Sequence, residues 1–279
     1  MQIRQPIVTG SFYPSESAEL SSKVNEFFNQ VDLEDNSGIP SILLVPHAGY
    51  SFSGQVAAYG YRTLIGKDIR RVILIGNSHQ GHFYQAAAYP EGYWLTPLGK
   101  IRVDETITRE LLKEQSLITD DIQIHTLEHS LEVQLPFLQI ALSNFKIVPI
   151  LVGNNNKDKA KKLAAAITPY LNKETILIIS TDLCHYPPYD VANKVDRRTV
   201  EDIISLDVER LEASIKTCTT HGFPNLDCCV CAEGAVKTGM YSAKTINAIK
   251  PRLFTYANSG DLNGDKNRVV GYASIGFYK

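Results

Sequence analysis

Four short runs of this chain carry apolar residues on both faces: SILLVP at 41–46, RVILIG at 71–76, KIVPILVG at 146–153 and TILIIST at 175–181. A strand with one wet face alternates apolar and polar residues, so a run without alternation must be covered on both sides. Parallel strands sheathed by helices meet that condition. Stretches with helical spacing lie between and after the runs, at 54–65, 104–115, 127–142, 158–171, 191–204, 207–216 and 226–241. Strand and helix in alternation predict an α/β arrangement, a parallel or mixed sheet with right-handed connections and helices on both sides. Two late apolar segments, 252–257 and 269–277, are expected to add strands to one edge.

Composition narrows the class. A chain of 279 residues, 44% hydrophobic and 21% charged, suits one large globular domain over 1–279. There is no repeat and no polar linker, and DLEDNS at 32–37 reads as a surface loop. A net charge of −2 with scattered basic residues gives no reason to expect nucleic acid or an anionic membrane as partner. No apolar run approaches the roughly 18–20 residues of a transmembrane helix, and the opening MQIRQPIVTGSFYP lacks the features of a secretory signal. Five cysteines (Cys184, Cys218, Cys228, Cys229, Cys231), three of them in CCVC, do not form a disulfide pattern. Reduced thiols in a cytoplasmic protein are expected.

In such sheets ligands bind beyond the carboxyl ends of the strands. His47 follows the first run in PHAGYSFSG, His79 follows the second in GNSH, and Asp182 and His185 follow the fourth in STDLCHY. One histidine after a strand is ordinarily a hydrogen-bonded turn residue, but three on neighbouring strands would face one crevice. Imidazole binds Zn, Cu, Fe and Ni and titrates near neutrality, so metal binding and acid–base work are both open. His125 and His129 stand four apart beside Glu128 and Glu132 in HTLEHSLEVQLPFLQ, a spacing that shares one helix face, although there is no HExxH pattern. Leu127, Leu131, Leu135 and Leu138 make most of that helix packing surface. Glu128 and His129 either cap its start or line the same crevice.

The CxxC spacing of 228–231 lacks a second pair for structural zinc and follows a loop, GFPNLD, where a redox pair would follow a strand. A Cys231 thiolate at a helix start would be favoured by the helix dipole; each cysteine taken singly is a small buried hydrophobe. The segment SGDLNGDKNRVVGY at 259–272 reads as a turn into the last strand, since it lacks the Gly and Glu positions of an EF-hand. There is no phosphate loop, GxSxG elbow or dinucleotide fingerprint.

PHAGYSFSG, GNSH, LEHSLEVQLPFLQ, STDLCHY and SGDLNGDKNRVVGYAS, in this order, resemble the Memo family, which includes the B component of the microbial AmmeMemoRadiSam system. The resemblance runs from VTGSFYP near the start to the last strand. It implies a three-layer αβα sandwich with a mixed, mostly parallel sheet, similar to the LigB-like class III extradiol dioxygenases. Those enzymes hold non-haem Fe(II) with two His and one Glu and open catechol rings with O2. By the resemblance, His47 and His79 match the family's metal-site histidines. Cys231 falls where the family has the cysteine of a Cys-Gly-x-x-Pro-Ile stretch. Asp182 and His185 match a further pair in the pocket, with His185 similar to the dioxygenases' acid–base histidine. Glu128 and His129 match an EHS motif.

This chain departs by reading Cys231-Ala-Glu-Gly-Ala-Val, so Cys228 or Cys229 could compete for the cysteine position. A Cys in place of the Glu is a soft ligand that favours Cu(I), Zn or iron in another electronic state, and O2 can oxidise it. Ring opening therefore does not transfer with the fold. The resemblance implies iron or copper, with zinc as the third choice. It leaves three functions open: a metal-binding protein, an O2-dependent oxidoreductase acting on a small substrate, or an adaptor for peptides or proteins. Radical-SAM and Ammecr-type proteins are the implied partners.

Overall fold

The structure, a computed structural model, describes residues 2–33, 38–79, 83, 85–153, 156–220 and 222–279, without the side chains of Thr219 and Asn263. Residues 34–37 of the expected surface loop lie outside the described residues. The strands are β1 (Ile3–Arg4), β2 (Ile42–Val45), β3 (Arg71–Asn77), β4 (Ala86–Ala88), β5 (Tyr93–Thr96), β6 (Gly99–Val103), β7 (Ile118–Thr119), β8 (Lys146–Val152), β9 (Thr175–Ser180), β10 (Lys250–Asn258) and β11 (Gly271–Tyr278). The helices are α1 (Ser17–Asn29), α2 (Tyr50–Arg62), α3 (Glu105–Leu111), α4 (Gln123–Thr126), α5 (Leu135–Ala141), α6 (Lys157–Ile167), α7 (Tyr189–Ser205), α8 (Val208–Thr220), α9 (Glu233–Thr245) and α10 (Ser259–Asn263).

All the strands join one sheet, in the order β1-β5-β6-β8-β3-β9-β2-β11-β10, with β4 on β8 and β7 on β4. The four predicted runs form its centre, β8, β3, β9 and β2, all mutually parallel. The late segments form β11 and β10, antiparallel, at one edge as expected. Successive residues of the central strands feed opposite faces. Leu44, Ile73, Ile75, Val148 and Ile179 pack with α6, α7 and α9 in one core. Leu43, Val45, Val72, Leu74 and Ile178 pack with α1, α2 and α5 in the other. Every residue of β2 and β9 is buried, which is why these runs show no alternation. The result is the mixed, mostly parallel αβα sandwich predicted. Among the described residues, no helix is long and apolar enough to cross a membrane.

Two helical expectations are revised. The 127–142 stretch is helical only from Glu132, first as a short 3-10 turn (Glu132–Gln134) and then as α5. Leu131, Leu135 and Leu138 are buried as the stripe predicts, but Leu127 is 60% exposed. Residues 127–130 are held out of a helix by side-chain bonds: Ser130 Oγ donates to the Asn77 carbonyl at 2.8 Å and the Glu128 carboxylate accepts from the Ser130 N–H. Gly76 on β3 allows this approach, because a Cβ there would lie 2.9 Å from both Ser130 Oγ and a Leu131 methyl. The 226–241 stretch likewise begins its helix only at Glu233, because residues 227–231 pair with 182–185. His185 N–H donates to Cys228 O, Asp227 N–H to His185 O and Cys231 N–H to Asp182 O. The 259–272 segment is a turn, as expected, but it also contains α10, closed by a capping box between Asn258 and Asp261.

His125 is fully buried, edge-on to Tyr89 and Trp94, and its Nε2 meets Ala87 O at 3.1 Å. Burial, with Arg4 nearby, pushes its pKa down to about 3. An unfolded imidazole protonates near its usual 6.5, whereas the folded one waits until about 3. The unfolded state thus binds more protons in between, and His125 draws stability down by about 1.4 kcal/mol per pH unit as pH falls through that window. A His125→Gln variant cannot titrate there. The wild type's advantage over it in urea unfolding is therefore expected to shrink on acidification, and an advantage constant with pH would contradict this.

Candidate metal centre

Three neighbouring parallel strands, in the order β3-β9-β2, end at one place on the sheet. His47 lies on the loop after β2, His79 two residues after β3, and Asp182 and His185 after β9. The fourth contribution is the irregular 128–130 segment, pressed against the end of β3. Together they form one wall of a cleft of about 630 Å³, whose lining includes His47, His79, His129, Asp182 and His185.

Three imidazoles meet here. The rings of His79 and His129 stack with centroids 4.5 Å apart, and His47 stands edge-on to both, at 5.1 and 5.7 Å. One nitrogen from each of His47, His79 and His129 lies within 4.8 Å of the others. His129 thus joins His47 and His79 from a loop, while His125, its expected helical companion, is turned into the core.

The hydrogen bonds fix which nitrogen of His47 is free. The Ser180 hydroxyl donates its one hydrogen to Ser130 O at 2.6 Å and accepts from Gln134 Nε2 at 2.8 Å. The Gln134 amide is oriented in turn by Pro46 O, which can only accept, and by the Tyr61 hydroxyl, which donates to Oε1. Ser180 Oγ can therefore only accept from His47 Nδ1, 3.1 Å away. The His47 lone pair then sits on Nε2, which is buried and has no hydrogen-bond partner. Burial first, then the neighbouring His79 and His129, hold the His47 pKa well below its ordinary value, so the ring is neutral. Burial also lowers His129.

His79 is held in the same sense. The Glu128 carboxylate accepts its backbone N–H and its Nδ1, the latter at 3.0 Å, together with the Ser130 N–H at 2.7 Å. Burial opposes ionisation of Glu128, but these bonds prevail and hold its pKa at about 2. A carboxylate on Nδ1 directs the neutral ring's lone pair to Nε2, the arrangement of a metal-bound histidine with its supporting acid. The Nε2 of His79 lies 3.2 Å from Cys231 Sγ, which Asn77 Nδ2 also contacts at 3.4 Å. Burial raises the Cys231 pKa well above its usual value, so in this arrangement it is a thiol. Of the three clustered cysteines, Cys231 faces the histidines, Cys228 Sγ faces Leu183 O, and Cys229 packs in a small apolar cluster beside Cys218.

Asp182 stands between two rings: its Oδ2 is 3.9 Å from both His47 Nε2 and His185 Nε2, and its Oδ1 accepts the His47 N–H at 2.8 Å. The His185 Nε2 is also buried without a partner. Burial raises Asp182, against the lowering influence of His185. A lone pair facing a carboxylate oxygen across 3.9 Å is unfavourable unless a proton or cation lies between them. The donor set, imidazoles with a thiol and a carboxylate adjacent, suits a transition metal and not Ca or Mg. The residues present therefore fit such an ion.

The sequence pointed to His47, His79, Asp182 and His185 through their positions after strands. It left Glu128 and His129 open between capping and the crevice; His129 lines the cleft, while Glu128 is buried behind His79 and holds that residue by its carboxylate. It passed over Ser180 and Gln134, which fix the His47 tautomer. Ser180 carried a signal, as the polar last residue of a strand whose interior, Ile176–Ile179, is apolar; Gln134, inside a leucine-rich stretch, carried little.

A family model described as Memo-like protein matches residues 4–276. A MEMO1 family protein of Thermoplasma volcanium is 38% identical over 274 residues, covering 98% of this chain and 97% of that protein. One from Methanobrevibacter smithii is 37% identical over 291 residues, covering 99% of this chain and all of the relative. Among solved structures, an uncharacterized protein of Escherichia coli K12 is similar with a TM-score of 0.53 at 10% identity, over 84% of this chain and 99% of that one. At that identity the likeness bears on the fold alone.

Proposed function

This chain belongs to the Memo family, and on that premise we propose that it is a metal-binding protein whose pocket holds iron or copper through His47 and His79. The observation that carries the reading is the buried, partnerless Nε2 of His47, on a ring grouped with two further imidazoles, one nitrogen of each lying within 4.8 Å of the others. His129 and Cys231 are the candidates for the remaining positions, His129 by its nitrogen and Cys231 by a sulfur that would have to lose its proton. Soft sulfur beside imidazole favours copper or iron over harder ions.

When bound, the metal would supply a Lewis-acidic, redox-capable centre. The chain's own residues supply the rest. Ser180 and Gln134 keep the His47 hydrogen on Nδ1, and Glu128 does the same for His79. His185 and Asp182, beside the open cleft, are suited to hold or move a proton at His185 Nε2. That pair, next to room for a small molecule, favours a second reading as an oxidoreductase acting on a small substrate.

Metal analysis of protein purified without a tag tests the first reading. Wild type is expected to retain iron or copper near one ion per chain, and His47→Ala and His79→Ala to retain about a tenth or less. Variants that bind as wild type would move the site elsewhere. Oxygen uptake after anaerobic Fe(II) loading tests the second: turnover no faster than free iron would count against it.

A further inference from the structure

The far wall of the cleft has its own chemistry. Residues 185–187 pair with 269–270: Tyr186 N–H donates to Val269 O at 2.7 Å and Val269 N–H donates to Pro187 O at 3.0 Å. This brings Arg268 beside Tyr186, with the guanidinium carbon 4.7 Å from the ring centroid. Tyr186 itself has a φ of 70°, a left-handed conformation that a bulky aromatic residue rarely adopts, and the residue is 41% exposed. Arg268 and Tyr186 both line the cleft that contains His47, His79 and His129, with Phe12 and Phe52 as further aromatic walls.

A guanidinium laid on a ring uses its flat face for the cation–π contact and leaves its N–H donors pointing outward along its edges. Among the described residues, no carboxylate lies within ion-pair distance of Arg268, although Asp182 and Asp227 share the cleft. Asp182 faces His47 and His185, and Asp227, an exposed residue, gives its backbone N–H to His185 O. Arg268 is thus a pre-positioned donor fork without a carboxylate partner among the described residues, on the wall of a cavity bounded by aromatic rings.

We propose that Arg268, braced on Tyr186, is an anion-recognition residue, and that the cleft takes a small planar molecule carrying a carboxylate. The carboxylate is received by the guanidinium in a forked contact, and the flat body lies between the aromatic walls and points toward the histidines. This rests on the reading of the same cleft as the metal pocket, and it names the class of molecule that would enter.

Benzoate, benzamide and benzylamine, similar in size but anionic, neutral and cationic, are the probes, with binding to metal-free protein followed by ligand-observed NMR. Wild type is expected to bind benzoate more tightly than either of the others. Arg268→Gln is expected to weaken benzoate by about tenfold or more and to leave benzamide unchanged, with Arg268→Lys intermediate because ammonium lacks the fork. Absence of benzoate binding, equal binding of all three, a preference for benzylamine, or an Arg268→Gln variant that binds benzoate as wild type would each overturn the proposal. Metal content measured on the same Arg268→Gln protein separates the two readings. Retained metal with lost benzoate binding supports both, whereas a metal-free wild type that still binds benzoate through Arg268 leaves the anion site standing without the metal one.

Discussion

Replacing Glu132 by alanine is expected to lower the stability of the protein by about 3–5 kcal/mol, read as a shift in the urea unfolding transition. Glu132 is fully buried. Its carboxylate pairs with Arg4 Nη1 at 2.7 Å and accepts the Tyr13 hydroxyl at 2.7 Å and the backbone N–H groups of Ile7 and Val8 at about 3 Å. Arg4 is itself buried, stacked on Trp94, and also donates to the carbonyls of His125 and Glu128. Removing the acid leaves the buried Arg4 cation without its counter-charge, and the buried Tyr13 hydroxyl and the part-buried Ile7 and Val8 N–H groups without their acceptor; such losses are large where nothing replaces the lost solvation. The effect should reach the site, because this clamp holds the N-terminal segment that puts Phe12 edge-on to His129, 4.9 Å between centroids. Amide exchange at Ile7 and Val8 is expected to speed up in the variant. A loss under about 1 kcal/mol would mean that the segment is held by its apolar contacts and not by the ion pair.

The second large effect concerns Glu128. Glu128→Gln is expected to weaken metal binding by about 10- to 100-fold, the usual cost of losing the acid behind a metal-bound histidine. Glutamine has one carbonyl oxygen where Glu128 uses both of its oxygens for three donors. Its NH2 group would face either the His79 or the Ser130 N–H, donor against donor. The His79 ring would then be free to turn or to take the other tautomer. Glu128 also makes stability depend on acid. Its pKa in the fold, about 2 against the usual 4.5, gives a contribution that is complete above about 4.5 and is lost as the pH falls toward 2. The glutamine variant should lack that acid dependence. Affinity measured by competition with a chelator, beside unfolding of the metal-free protein, separates the two consequences. An unchanged affinity would show that His79 is oriented by something other than Glu128.

The centre of the sheet could be read from the sequence because its strands are buried on both faces, so periodicity disappears and length and β-branching carry the signal. The small strands β4, β5, β6 and β7 could not. They span two to five residues amid Gly and Pro, and they exist through pairing with β8 or with one another. The helix over-read at 127–142 has a similar cause. Leucines at helical spacing are present, but the local sequence cannot show that Ser130 and Glu128 are claimed by partners some fifty residues away, Asn77 on β3 and His79 just after it. The same long-range contacts brought His129 into the site and left His125 in the core. At Cys231 the sequence offered three adjacent candidates, and the pairing of 227–231 with 182–185 determines which sulfur faces His79. Strand ends therefore announce themselves in a sequence of this class. The tautomers, and the roles of Glu128 as supporting acid and His129 as third imidazole, emerge only when the chain is folded.

The most direct test of the metal account is a crystal structure of the protein loaded anaerobically with Fe(II), and separately with Cu(I), with anomalous diffraction recorded at each metal's absorption edge. The account predicts one peak per chain, within bonding distance of the Nε2 atoms of His47 and His79, with His129 or Cys231 completing the set. A peak at Cys218, Cys228 or Cys229 instead, or no peak near His47 at full loading, would contradict it.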